Sequence, residues 1–405
     1  MAENGKSMGK KIAVCGHIAI DIIPELQTKE TDFRLTPGSL IEVGGAMLAA
    51  GGAVSNTGIA LHRLGANVQL MGKVGDDLWG DVTIRLLQTV HTDLIHGIVR
   101  AKGELSSYTL VLNPPDTDRI FLHCPGTNDT FREDDISYEG LQDVHHFHFG
   151  YPPLMKQMYA DGGVQLCRML ERITGMGLTT SLDMAMPGAG TLAYEADWPD
   201  ILKRVLPHVT LFMPSLEELM LMARKCQYEA MIRDSDSEAG DRCERISVDM
   251  IRELAEFALG LGCEMVVIKL GVSGLYLRSS EACPQAASSG DDPWDMQWKG
   301  RELWAPCFQT VAVGTTGAGD CTIAGFLHGW LNKLSPEEVM TGAVAVGACS
   351  VESADATGGI VPWETVWRRV RSGWERLPVK QVLTGWRWDE DSALWHGPFD
   401  ARESS

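Results

Sequence analysis

Short apolar runs alternate with segments of helical periodicity along most of this chain, and that alternation limits its fold more than any other property. The runs fall at Lys11–Cys15, Val68–Met71, Val144–Phe149, Thr179–Leu182, Val209–Met213 and Met265–Lys269. Apolar residues at helical spacing fill Val54–Leu64, Gly163–Met176, Leu216–Cys226 and Val248–Leu261. Strands that are apolar throughout have to be covered on both faces, and helices lying between them in sequence supply that cover for a mainly parallel sheet. A doubly wound α/β domain is therefore predicted. At 405 residues the chain could form one large domain or two smaller ones, and no evident linker divides it. Leu35–Met47 and Ser107–His123 break the pattern. Tyr108, Leu110 and Leu112 alternate with other residues as half-buried strands do, which predicts a small separate sheet beside the core.

Charge narrows the function. Lys+Arg 35 against Asp+Glu 54 gives a net charge of −19, so nucleic acid and anionic membrane surfaces are not expected partners. Val43–Leu61 carries no charged side chain, but Gly44, Gly45, Gly51, Gly52, Ser55 and Asn56 make it too weakly apolar to insert into a bilayer. Ten scattered cysteines and a Met1–Lys11 segment with no apolar stretch predict reduced thiols in a cytoplasmic protein without a secretory leader. The charge-rich Tyr228–Arg245 and the Ser/Gly/Pro-rich Ser279–Gly300 read as surface insertions. Trp363, Trp367, Trp374, Trp386, Trp388 and Trp395 near the C-terminus read as packing residues, against the domain or a partner subunit. His145, His146 and His148 invite a metal reading, but strand alternation and the lack of a completing carboxylate or cysteine argue against it.

The most informative stretch is Gly314-Thr315-Thr316-Gly317-Ala318-Gly319-Asp320, followed at helical spacing by Ile323, Phe326, Leu327, Trp330 and Leu331. A glycine-rich loop opening into a helix presents backbone N–H groups at the positive end of the helix dipole and lets an anion come close. Asp320, in the first turn, can accept a proton from an alcohol attacking a phosphoryl group held there. Local composition alone leaves it equally well placed as an ordinary helix N-cap. The clusters Gly51-Gly52-Ala53-Val54-Ser55-Asn56 and Gly72–Gly80 shift the balance toward function. Gly5-Lys6-Ser7 lacks the first glycine and the preceding strand of a P-loop, which excludes that class of kinase.

Gly51–Gly80 resembles the first signature of the PfkB sugar kinases (the ribokinase-like family), and Gly314–Phe326, with its Gly-Ala-Gly-Asp core, resembles the second. The likeness runs from about Lys11 to Gly359. It implies a ribokinase-like three-layer α/β sandwich with a central, mostly parallel sheet of about nine strands and a small β lid, the lid built from segments near 35–47 and 107–123. The kinase domain would span 1–375, with insertions at 228–245 and 279–300 and a tryptophan-containing C-terminal extension at 376–405. The implied activity is ATP-dependent phosphorylation of a hydroxyl on a small sugar or sugar derivative.

Carried over by position, the resemblance makes Asp320 the base and Gly317, Ala318 and Gly319 the anion hole. Asp21, Gly51, Gly52 and Asn56 would hold the acceptor, and Arg119 in the lid would reach it or remain a solvated lid charge. Lys269, Gly271, Gly274 and Thr315 would line the ATP phosphates, with Lys269 alternatively snorkelling to water. Mg²⁺ would be carried by phosphates and water, the water organised by Glu218. Two positions depart from the family pattern. Ser215 replaces the asparagine of Asn-x-x-Glu, and Gly314 stands where an aspartate usually helps bind a monovalent cation, which puts K⁺ activation in doubt. The same architecture serves nucleoside acceptors, and the two departures also fit a sugar sensor that has lost catalysis. Exposed lid edges would allow a homodimer.

Overall fold

The computed structural model describes residues 10–26, 37–114, 119–234, 246–281 and 293–401. Its strands are β1 (Lys11–Gly16), β2 (Ala19–Leu26), β3 (Val43–Gly51), β4 (Asn67–Gly75), β5 (Gly97–Ala101), β6 (Tyr108–Leu112), β7 (Ile120–Cys124), β8 (Val144–Gly150), β9 (Thr179–Asp183), β10 (Leu211–Phe212), β11 (Met265–Lys269), β12 (Leu275–Ser279), β13 (Glu302–Ala305), β14 (Arg387–Asp389) and β15 (Leu394–His396). Its helices are α1 (Gly52–Leu64), α2 (Leu78–Val90), α3 (Lys156–Tyr159), α4 (Val164–Gly175), α5 (Trp198–Val205), α6 (Leu216–Asp234), α7 (Val248–Gly260), α8 (Pro293–Met296), α9 (Ala318–Leu331), α10 (Pro336–Ser350) and α11 (Trp363–Arg371), with short 3₁₀ turns between.

An 11-stranded sheet runs in the order β14-β15-β13-β12-β11-β10-β9-β8-β1-β4-β5, and a 4-stranded sheet in the order β3-β2-β6-β7. From β5 through β11 the large sheet is parallel, while β12, β13, β15 and β14 continue it antiparallel. Side-chain alternation assigns each strand residue to a layer. Ile12 and Val14 of β1 join the core formed with α1, α9 and α10, and Ala13 and Cys15 join the core formed with α4, α5, α6 and α7. In β11, Met265 and Val267 make the same division from Val266 and Ile268. This is the ribokinase-like three-layer α/β sandwich, with the small sheet as its lid.

The lid contains β3, β6 and β7 as the sequence predicts, and also β2, which sequence reading missed. The parts of the predicted lid segments at 35–36 and 115–118 lie outside the described residues. Residues 228–234, read as the start of a surface insertion, continue α6, with Tyr228 buried. The remainder, 235–245, lies outside the described residues, as does 282–292 of the second insertion. Beyond that gap Trp294 and Trp298 pack edge-on against Trp330 of α9, with ring centroids 4.6 and 4.8 Å away, so these two tryptophans belong to the core. Among the described residues no helix is long and apolar enough to cross a membrane.

The C-terminal residues complete the sheet. β15 pairs with β13, and Trp386 packs among Tyr276 and Trp304 with centroids 6.1 Å from each. A buried ion network fastens this tail: the Arg301 guanidinium reaches Asp400 at 2.5 Å and Glu337 at 2.6 Å, and His396 Nδ1 lies 2.5 Å from Asp400. Burial pushes the Asp400 carboxyl up, but its hydrogen bonds with His396 and Arg301 outweigh this and hold it below the ordinary value. Its stabilising contribution is therefore present above the unfolded aspartate value of 3.8 and is lost as pH falls toward the lower folded value. Asp400→Ala leaves the Arg301 guanidinium short of a buried partner, and chemical denaturation at neutral pH is expected to show a loss of about 3–5 kcal/mol. A loss below about 1 kcal/mol would mean that the tail is not held by this network.

Candidate active site

The parallel strands β1, β8, β9 and β11 all point their C-terminal ends at the opening of α9, the place where open α/β sheets collect chemistry. Gly317 forms the N-cap of α9 with φ 71°, a left-handed backbone that glycine adopts without strain, and a Cβ there would come 2.5 Å from Ala356 Cβ. The Ala318 amide bonds the Thr315 carbonyl at 3.3 Å, and those of Gly319 and Asp320 have no acceptor within the helix. Such amides suit a phosphoryl oxygen. Asp320 follows immediately and is buried.

Two neighbours hold that carboxylate. Asn56, from α1, donates from Nδ2 to Oδ2 at 2.9 Å, and the Tyr151 hydroxyl donates to Oδ1 and Oδ2 at 2.8 and 2.7 Å. Burial pushes the Asp320 carboxyl above its ordinary value, while the bonds from Asn56 and Tyr151 and the Lys269 charge act in the opposite direction. Tyr151 follows β8 with φ 67° and ψ 42°, left-handed for a residue with a side chain, a conformation costing roughly 1–2 kcal/mol. Pro152 and Pro153 come next, and the Tyr151 amide bonds the Asp183 carbonyl at 3.3 Å, so the surrounding chain fixes the strained residue.

On the lid side, Asp21 of β2 stands against the end of β3. A Cβ on Gly51 would fall 2.3–2.6 Å from the Asp21 carboxyl atoms, so only glycine permits this approach, and Gly52 next to it has φ 81°. Burial pushes the Asp21 carboxyl up to about 6, opposed by a hydrogen bond from Thr109 and reinforced by the charge of Asp320. The two carboxylates therefore lie within reach of each other's charge. His17 and His123 face each other with their Nε2 atoms 3.4 Å apart, and Thr109 Oγ1 lies 3.0 Å from His123 Nδ1. Burial holds both imidazoles below their ordinary value, His17 at about 3, and each is neutral near pH 7. Arg119 donates from the lid to the Thr316 hydroxyl, so it ties the lid to the glycine loop instead of standing free in solvent.

On the nucleotide side, the Lys269 ammonium pairs with buried Asp183 at 2.5 Å, and its chain runs beside Gly319, whose Cβ would lie 3.4 Å from Lys269 Cδ. Lys269 is therefore held inside the site. Burial disfavours the charge on Lys269, but Asp183, Glu218 and Asp320 attract it strongly enough to raise its pKa above the ordinary lysine value. Burial likewise raises the Asp183 carboxyl, against the pull of Lys269. Asp183 Oδ2 is buried with no hydrogen-bond partner. Glu218 accepts from the Ser215 amide at 2.6 Å while the Glu218 amide bonds Ser215 Oγ at 3.3 Å, so Ser215 serves as helix cap. Gly271 and Gly274 turn the chain after β11 with φ 58° and 104°, and Thr315 is exposed at the loop. An open cavity of about 500 Å³ beside this loop is lined by Gln309, Thr310, Val311, Val313, Glu352 and Arg369.

These donors fit Mg²⁺ held indirectly. Among the described residues no group of three or more His, Cys, Asp or Glu could hold a metal ion, whereas the partnerless Asp183 oxygen suits a bridging water. The strand histidines are engaged with hydroxyls: His146 lies 2.7 Å from Thr179 Oγ1 and 2.8 Å from Ser181 Oγ, which also lies 2.8 Å from His148. The structure brings together Asp320, Asn56, Asp21 and the glycines that the sequence reading singled out, and sets beside them His17, His123 and Asp183, which that reading did not name as site residues. Asp183 alone left a usable signal, a charge closing an otherwise uncharged run.

Comparison with known proteins bears on the family and the fold. A family model described as pfkB family carbohydrate kinase matches residues 9–166 and 182–363. An uncharacterized sugar kinase of Archaeoglobus fulgidus is 25% identical over 304 residues, covering 75% of this chain and 98% of its own length. The Arabidopsis thaliana ribokinase complexed with ribose and ATP superposes with a TM-score of 0.65 at 17% identity, covering 89% of this chain and 98% of that one. The E. coli ribokinase II in complex with ATP and Mg²⁺ does so with a TM-score of 0.64 at 19% identity, covering 90% and 99%. These likenesses in shape at low identity support the fold, and the sequence match extends across it. The chain belongs to the pfkB family of carbohydrate kinases.

Proposed function

We propose that this ATP-dependent kinase phosphorylates a hydroxyl of a small sugar or sugar derivative, with Asp320 as general base. The observation that carries the reading is the placement of Asp320: a buried carboxylate beside the unbonded amides of Gly319 and Asp320 and bonded to Asn56 of α1. Asp21, Asn56 and the backbone of Gly51 and Gly52 hold the acceptor, and Arg119 keeps the lid against the loop. The acceptor oxygen attacks the γ-phosphorus and gives its proton to Asp320, while the amides of Gly317 and Gly319, and that of Ala318 once it releases the Thr315 carbonyl, receive the phosphoryl charge. Lys269, beside Gly319, adds a positive charge on the phosphate side, with Gly271, Gly274 and Thr315 shaping the surrounding loops. Mg²⁺, when bound with ATP, neutralises phosphate charge, and Asp183 and Glu218 would hold its waters. The cavity beside Gln309 and Arg369 is the proposed place for the nucleotide base. Gly314 brings no carboxylate for a monovalent cation, and K⁺ has no part in this reading. A cytoplasmic location suits the need for ATP. D-ribose, D-fructose and adenosine, tested as separate acceptors with ADP release as readout, distinguish sugar from nucleoside specificity. Sugar binding in calorimetry with no ADP formed would instead indicate a sensor.

Asp320→Asn keeps the shape of the side chain and removes its basicity. Turnover is expected to fall about 10²–10⁴-fold with ATP affinity retained, as measured by coupled assay and calorimetry. Near-normal turnover would refute the assignment.

Asp21 accepts hydroxyl hydrogen bonds on both oxygens, and most strongly, when ionised. Because its pKa is raised to about 6, acceptor KM is expected to climb as pH falls through that value while ATP KM stays level. Asp21→Asn should abolish this pH dependence, and its persistence in the variant would exclude Asp21 as the source.

The lid exposes Val43, Met47, Phe121 and Leu122, and we propose that a second copy covers them in a homodimer. Sedimentation should then show a dimer that Phe121→Lys weakens; a monomer at all concentrations would contradict it.

A further inference from the structure

The Tyr151 hydroxyl lies 2.8 and 2.7 Å from the two Asp320 oxygens, hydrogen-bond distance to the atoms that would receive the acceptor proton. Asn56 already donates to Oδ2. The ring of Tyr151 stands 6.0 Å from that of His17, whose Nδ1 lies against Gly52, next to the Gly51 that Asp21 approaches, so this phenol belongs to the acceptor side of the site. We propose that Tyr151 is a positioning residue whose hydroxyl occupies the acceptor's place on Asp320 until a substrate hydroxyl displaces it. The inference rests on Asp320 being the base.

Two features support an occupant that can be displaced. A phenol is, like the acceptor, an O–H donor on carbon, so exchange replaces one charge-assisted hydrogen bond with another. Burial, followed by the charges of Asp320 and Asp183, holds the Tyr151 phenol well above its ordinary pKa, so it remains a neutral donor and never a competing nucleophile.

The purpose of such a stand-in is to keep water off the base. With ATP bound and no acceptor, a water on Asp320 could attack the γ-phosphorus. The new bond would join the water oxygen to phosphorus, the bond from phosphorus to the bridging oxygen would break with its electron pair leaving on ADP, and the water proton would pass to Asp320. The products would be ADP and inorganic phosphate. While Tyr151 occupies the carboxylate, that water has no base.

Tyr151→Phe removes the hydroxyl and keeps the ring. With MgATP alone, the variant is expected to release ADP about tenfold faster than the unaltered protein, a fraction of what a general base contributes. With whichever of D-ribose, D-fructose and adenosine is turned over, its acceptor KM should fall several-fold, because nothing has to be displaced. A merely structural role would lower activity without producing either change. Unaltered acceptor-free ADP release together with an equal or higher KM would overturn the inference. Asp320→Asn assayed in parallel separates the two failures: near-normal turnover there removes the base itself, whereas loss there with no effect of Tyr151→Phe removes only the stand-in. In the unaltered protein, a saturating acceptor should also change the tyrosine ultraviolet difference spectrum as the phenol leaves the carboxylate, and no change would count against the proposal.

Discussion

The Asp320 carboxylate is buried and feels the charges of Asp21 and Glu218, an arrangement that by itself favours protonation. Hydrogen bonds from Asn56 and Tyr151 and the charge of Lys269 oppose it. Each opposing group comes from a different part of the fold: Asn56 from α1, Tyr151 from the end of β8, and Lys269 from the end of β11. Packing between layers brings them together, so the chemistry of the site depends on the whole sandwich being assembled.

The acidity of the chain bears on the same point. With a net charge of −19, ATP gains nothing from the overall field, and its binding has to rely on local donors and on Mg²⁺. The glycine loop before α9 supplies backbone amides, and Lys269 adds a cation held by Asp183 beside Gly319. A buried lysine without a carboxylate partner would tend to lose its proton. Asp183 thus keeps Lys269 protonated where phosphate is expected, at the expense of burying a second acid whose burial Lys269 only partly offsets.

Much of the fold was legible because parallel strands buried on both faces leave continuous apolar runs. Met265–Lys269 coincides with β11, and Val144–Phe149 falls one residue short of β8. β2 was missed because its run, Ala19–Leu26, contains Asp21, Pro24 and Glu25 and is only half buried. The strands of the C-terminal tail, β14 and β15, are three residues each, too short for any periodicity to show. At the site, Asp320 and the glycines were legible because a helix start has local requirements. The pairings that join the site were not. Asn56 lies 264 residues away in sequence and Tyr151 169, and the Lys269–Asp183 pair spans 86, separations across which no spacing rule operates. Local composition could not choose between a solvated and an engaged Arg119 or Lys269, because that depends on which surface each meets after folding.

The account stands on Asp320 as the base that meets the acceptor. A crystal structure with a turned-over acceptor and a non-hydrolysable ATP analogue tests this most directly. The account predicts one acceptor hydroxyl within about 3 Å of an Asp320 oxygen, in line with the γ-phosphorus, the γ-phosphate oxygens against the amides at the start of α9, and the Tyr151 hydroxyl withdrawn from the carboxylate. An acceptor hydroxyl aligned with the γ-phosphorus but bonded to some other group, with Asp320 out of reach, would contradict it.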